Sequence, residues 1–165
     1  MGTLTAFHVL ISLAGIASGF VVIFGLLGGK RLNRWTVFFL ATTVLTSVTG
    51  YLFPVHKLMP SHIVGALSLL ALALAIYARY RQGMNARWRS VYVAAAILAQ
   101  YFNVFVLVVQ SFLKIPSLKA LAPTQSEPPF AIAQGLVLVV FIVLGILALK
   151  RFRIEQWSAA ASTSR

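Results

Sequence analysis

Five runs of about twenty residues, mainly apolar and free of Asp and Glu, constrain this chain more than any other feature. They cover residues 5–28, 35–53, 62–80, 90–113 and 130–149. A helix needs about 20 mainly apolar residues to cross ~30 Å of hydrocarbon. The runs are continuous, whereas a membrane β-strand would alternate apolar and polar positions. The second run is the most dilute, carrying Thr42, Thr43, Thr46, Ser47 and Thr49. The pattern predicts an all-α membrane protein, a bundle of five transmembrane helices, or four if the second span is lost. Residues 1–153 would form one polytopic domain, and 154–165, rich in Ser and Ala, a flexible tail.

Composition removes the competing classes. The 165 residues are 60% hydrophobic and only 10% charged, where a soluble domain carries about 25% charged residues. Disorder needs low hydrophobicity, the opposite of what is found. The absence of cysteine excludes disulfide scaffolds, thiolate catalysis and Cys-ligated metals. The net charge of +12 does not mark a nucleic-acid face. The basic residues sit in short clusters between apolar runs, not on one water-exposed surface.

Those clusters predict the orientation. Lys30, Arg31 and Arg34 follow the first run, and Arg79, Arg81, Arg87 and Arg89 surround the connection after the third. Lys150, Arg151, Arg153 and Arg165 follow the fifth, while the other side holds only Lys57, Lys114 and Lys119. Lys and Arg accumulate on the cytoplasmic side and contact anionic lipid headgroups there. The N-terminus is therefore expected outside and the C-terminus inside. Trp35, Trp88 and Trp157 fall near the same inner boundary, as an aromatic belt does. The first run lacks the basic leader of a cleaved signal peptide and reads as an uncleaved span.

All six prolines (Pro54, Pro60, Pro116, Pro123, Pro128, Pro129) lie in the two outer connections. Proline fixes φ and lowers loop entropy, so these loops are expected to be ordered caps. The longest, 114–129, is of a length that is often functional; spacing ahead of the fifth helix is the plainer alternative.

Polar side chains within the spans should face the bundle interior. His8, Ser12, Gly15 and Gly19 share a narrow stripe of the first helix. Gly15 and Gly19 form a GxxxG pattern, which suits close helix packing. In the fourth helix Gln100, Asn103, Gln110 and Ser111 share an arc of about 100°, and Gln134 marks a comparable face of the fifth. Amides in hydrocarbon need partners, so this stripe must meet other helices. It could pin the bundle, or line a path for a small solute.

His8, His56 and His62 are all expected near the outer surface, as is Glu127. Imidazole with carboxylate can ligate zinc or copper, histidines from two helices can hold haem, and histidine can relay protons near neutral pH. Against this, the six-residue spacing of His56 and His62 matches no common zinc motif, and interfacial histidines are commonly only polar surface groups. A redox or metal-handling site is thus the alternative to a non-enzymatic scaffold, subunit or accessory factor. No triad, carboxylate pair or H-E-x-x-H occurs. Gly28, Gly29, Lys30 and Arg31 lack the spacing of a phosphate loop and read as a helix end at the membrane boundary.

Two stretches carry a resemblance. One is Phe53-Pro54-Val55-His56-Lys57-Leu58-Met59-Pro60-Ser61-His62-Ile63-Val64-Gly65. The other runs from Asn103 to Phe112 and continues in Leu121-Ala122-Pro123-Thr124-Gln125-Ser126-Glu127-Pro128-Pro129-Phe130. The chain, to about Arg153, resembles a family of small proteobacterial integral membrane proteins with no assigned activity. The resemblance implies a location in the bacterial inner membrane, multi-pass, and brings no catalytic or binding residues with it. A homo-oligomer or a membrane-complex partner is expected for so small a bundle.

Overall fold

The computed structural model describes residues 2–52, 60–85 and 87–163, with side chains described from Ile63 in the third helix and up to Phe152 in the last. It is all-helical: α1 (Thr3–Leu27), α2 (Asn33–Gly50), α3 (Pro60–Ile76), α4 (Arg87–Lys114), α5 (Pro116–Leu121) and α6 (Pro128–Thr163). A π-helical segment, Tyr77–Arg81, continues α3. The described residues contain no strand.

Four helical stretches are long and apolar enough to cross a membrane: Thr3–Leu27, Ile63–Arg81, Arg87–Lys114 and Pro128–Phe152. The helix expected as the second span, α2, is not among them. Its 18 residues begin with Asn33 and Arg34 and include the five Thr and Ser residues that dilute it. Its length is nonetheless about 27 Å at 1.5 Å per residue. Residues 154–163, expected as a tail, continue α6 as helix.

Apolar side chains such as Leu10, Phe24, Leu70, Ile132 and Leu136 stand well exposed around the helices. A soluble monomer does not present apolar surface on that scale, whereas lipid accepts it. The buried core runs through one half of the bundle. Ile23, Leu26, Phe39, Leu72 and Tyr92 fill it, with Ala75, Ala78, Ala96 and Ala99 at the closest approaches. Small residues let membrane helices approach closely and gain dispersion energy where no hydrophobic drive exists between them. α4 packs against α1, α3 and α6, and α2 lies between α1 and α3.

The helix ends follow from local chemistry. α1 closes in a Schellman turn, with Lys30 N–H donating to the Gly25 carbonyl at 2.7 Å and Gly29 N–H to Leu26 at 3.1 Å. Gly29 takes the left-handed conformation this needs (φ 68°). Gly25, lacking Cβ, leaves room for the Leu32 side chain to fold back over it. The pair Gly28-Gly29 is thus a helix terminus, not a phosphate cradle. At the other end, α5 starts with Pro116 at its first turn. The Phe112 and Phe130 rings meet edge-on at 5.4 Å beneath the 115–127 connection, whose Ala122 is fully buried.

Candidate functional site

The polar groups inside the bundle form three tiers along its axis. The central tier begins with Gly19. A Cβ at this position would lie 2.1 Å from Gln100 Oε1 and 2.4 Å from its Cδ, so the amide occupies the space the glycine leaves. Gln100 is fully buried, and its Nε2 donates to the Ile16 carbonyl at 2.8 Å. In a helix the side chain at i+3 partly covers the carbonyl of residue i. Gly19 uncovers that of Ile16. Asn103 Nδ2 donates to Thr43 Oγ1 at 3.1 Å and to Gln100 Oε1 at 3.3 Å. Gly15 in turn makes room for Thr42 and Thr43, whose Oγ1 atoms would lie 3.3 and 3.4 Å from an added Cβ. Thr42 satisfies its own hydroxyl on the Phe38 carbonyl at 2.7 Å. The GxxxG stripe therefore receives threonines from α2 and an amide from α4.

The tier near the start of α1 joins α1 to α2. Thr49 donates its hydroxyl to the Leu45 carbonyl at 2.7 Å. Having one proton, it accepts from His8 Nδ1–H, 2.8 Å away. Ser12 back-bonds to the His8 carbonyl at 2.6 Å. On the other side of α4, Gln134 Nε2 donates to the Phe105 carbonyl at 3.2 Å, tying α6 to α4, while its Oε1 is buried with no partner among the described residues. Gln110 is half-buried. Gln125, not singled out by spacing, bonds the Val109 carbonyl at 2.9 Å from the loop.

Glu127 directly precedes Pro128 and the start of α6, and its side chain closes the turn before the helix. Its carboxylate accepts from Thr124 N–H (3.1 Å), Thr124 Oγ1 (2.9 Å) and Ser126 N–H (3.1 Å). Desolvation pushes its pKa upward, but the bonds from Thr124 and Ser126 outweigh that and hold it below the ordinary carboxylate value. A carboxylate at a helix N-terminus is also favoured by the helix dipole. Of the four residues considered for metal or haem, His8 is thus engaged with α2 and Glu127 with its own turn. His56 lies outside the described residues, and of His62 only the backbone, in the first turn of α3, is described. Among the described residues no three His, Cys, Asp or Glu side chains come together as metal ligands.

The third tier, at the basic end, was not expected from the sequence, which places Arg79 and Arg89 in or beside a connection. Both are buried. The π-helical turn widens the backbone at Arg79 and carries its guanidinium into the bundle. There Nη2 donates to Asn33 Oδ1 and to the Arg31 carbonyl at 3.2 Å, and Nη1 approaches Met84 Sδ at 3.8 Å. The same group stacks 5.0 Å from the Tyr92 ring centroid. It thereby fastens the end of α3 to the α1–α2 connection, where Leu32 is in the left-handed region (φ 34°). Arg89 differs: its guanidinium lies 5.3 Å from the Phe152 ring centroid, and its Nε and Nη1 have no hydrogen-bond partner among the described residues. A missing acceptor for a buried arginine is not visible in a linear sequence that has basic residues on every side of it.

No protein-family model matches the chain, and neither a curated protein nor a solved structure is detectably similar to it.

Proposed function

We propose that this chain is a five-helix polytopic protein of the bacterial inner membrane, N-terminus outside and C-terminus in the cytoplasm, acting without enzymatic chemistry as a scaffold, subunit or accessory factor. The observation that carries the proposal is the fate of the intramembrane amides. Gln100, Asn103 and Gln134 are each spent on a bond to another helix. Side chains used in this way hold helices in register; they are not presented to a solute. The apolar exterior leaves lipid or a partner's helices as the surroundings of the bundle.

The fifth span is supported by how α2 is anchored. Thr49, near its end, bonds His8, near the start of α1, and Asn33, at its beginning, follows directly on the end of α1. α2 therefore runs antiparallel to α1 through the same depth. Thr42 and Thr43 turn toward α1, and Thr42 and Thr49 satisfy their hydroxyls on carbonyls of their own helix, so modest hydropathy does not bar it from lipid. The orientation rests on the cationic clusters that the fold brings to one end, where Arg79 meets the Arg31 carbonyl and Arg151 reaches the Leu27 carbonyl.

Reporter fusions test the map. A reporter fluorescent only in the cytoplasm should light up after Arg165 and after Lys30, and a periplasm-dependent enzyme should be active after Lys57. Equal reporting from Lys30 and Lys57 would remove α2 as a span. Cross-linking in intact membranes followed by purification should recover a defined assembly, of like or unlike chains. Strong Soret absorption, stoichiometric metal, or solute flux above empty vesicles in liposomes would overturn the non-enzymatic scaffold.

A further inference from the structure

We infer that Arg89 forms a binding site for a phosphate oxyanion at the basic end of the bundle. Two buried arginines stand at this end and they are unequally served. Arg79 has a carbonyl, an amide oxygen, a thioether and an aromatic face. Arg89, only 6% exposed, has the Phe152 ring and nothing that accepts from Nε or Nη1. The neighbouring charge that acts on it is Arg31, a like one.

An arginine does not relieve such a position by losing its proton, and a buried cation without an acceptor is strongly disfavoured. Of the two carboxylates in the chain, Glu127 is spent at the opposite end of α6, and Glu155 lies beyond the residues whose side chains are described. The acceptor is assigned to a bound anion, and the E155Q variant below tests the alternative within the chain. Arg89 lies in the first turn of α4, the helix end whose dipole favours an anion. A phosphate at this turn would accept from Nε and Nη1, which no hydrogen bond among the described residues holds. Phosphate suits the fork geometry of guanidinium, and it is available either as the phosphodiester of a lipid headgroup or as a free ion.

The inference builds on the membrane proposal above but not on its orientation, so failure of the reporter fusions and failure of binding are separate results. Purified full-length protein in non-ionic detergent is titrated with phosphatidylglycerol, phosphatidylcholine or inorganic phosphate, reading the thermal unfolding midpoint and the lipid retained in native mass spectrometry. Phosphatidylglycerol should raise the midpoint and saturate at one equivalent. R89Q should bind about tenfold more weakly, the loss expected for one charge-assisted pair. R89K, which keeps the charge and is the safer variant for folding, should fall between. R81Q removes an exposed cation from the same end and should bind as the unaltered protein does. A matching rise with inorganic phosphate identifies a free ion as the occupant, and its absence identifies lipid. Equal losses in R81Q and R89Q would overturn the site in favour of diffuse charge attraction. So would the absence of any rise, or lipid-free destabilisation of E155Q as large as that of R89Q, which would mean that the acceptor lies within the chain.

Discussion

Replacing Gly19 by alanine tests the central polar tier with a single methyl group. The new Cβ would lie 2.1 Å from Gln100 Oε1 and 2.9 Å from its Nε2, so the amide must withdraw. Withdrawal breaks its 2.8 Å bond to the Ile16 carbonyl and removes the oxygen that accepts from Asn103. Interhelical bonds in membranes contribute roughly 0.6 kcal/mol on average and up to about 1.7. A buried amide left unpaired costs about 1–3 kcal/mol. Against this, alanine is the better helix former by about 1 kcal/mol. The balance is a destabilisation of roughly 1 to 3 kcal/mol. Reversible unfolding in mixed micelles of mild detergent and dodecyl sulfate would measure it. The decisive comparison is the double-mutant cycle with Gln100→Ala. Once the amide is gone, G19A should be neutral or stabilising by up to about 1 kcal/mol. An equal penalty for G19A in both backgrounds would refute the argument, since the clash would then not be with Gln100.

Thr43→Val should cost about 1 kcal/mol by removing the acceptor of Asn103, measured in the same unfolding assay, with no added loss in an Asn103→Ala background. Arg79→Lys should loosen the α1–α2 connection, because an ammonium cannot bond the Arg31 carbonyl and Asn33 Oδ1 as the fork does; the chain has no cysteine, so faster labelling of a single cysteine placed at Leu32 reports it. Glu127 has a pKa lowered from the model-peptide value of 4.5, so its contribution to the loop is complete above that value and is lost as pH falls through the lower folded one. The Thr124 and Ser126 amide resonances should accordingly hold steady from pH 7 to 5 and move only in more acid solution, and Glu127→Gln should abolish that step; movement between pH 7 and 5 would contradict the capping geometry. Thr49→Val should free the His8 ring from α2 and raise the rate of hydrogen exchange at the end of α2 without affecting the Schellman turn of α1.

The helical class was legible because continuous apolar runs admit few folds, and the approximate helix positions followed from where those runs stop. The facing of the α4 stripe was legible in part. Periodicity placed Gln100 and Asn103 on one arc, and necessity for partners turned that arc inward, but spacing could not say that Gly19 is the other half of the contact. The amide's bond to Ile16, which Gly19 exposes, joins residues 84 apart in the chain. The buried arginines were illegible for a different reason. A charged residue beside a predicted connection is ordinarily solvated, and only the π-helical turn, which leaves no periodic trace in five residues, carries Arg79 inside. Hydropathy likewise undervalues α2, because it counts threonine hydroxyls as polar even when a backbone carbonyl of the same helix accepts them. The loop before α6 was expected to be ordered from its prolines. Its short helix and the turn closed by Glu127 depend on which way the chain turns after Lys114, which local composition leaves open.

The notch at Gly19 also bears on how the protein is made. Its occupant is synthesised 84 residues after Ile16, which at ~5–20 residues per second is a delay of about 4 to 17 s. With both helices of the first hairpin spanning the bilayer, as proposed above, the hairpin would wait through that interval with an open groove, and α4 would later leave the translocon carrying two amides not yet bonded to their neighbours. Biogenesis therefore contains a waiting step in which a wrong helix, from this chain or another, can occupy the groove. Whatever slows elongation between the second and fourth helices lengthens the exposure.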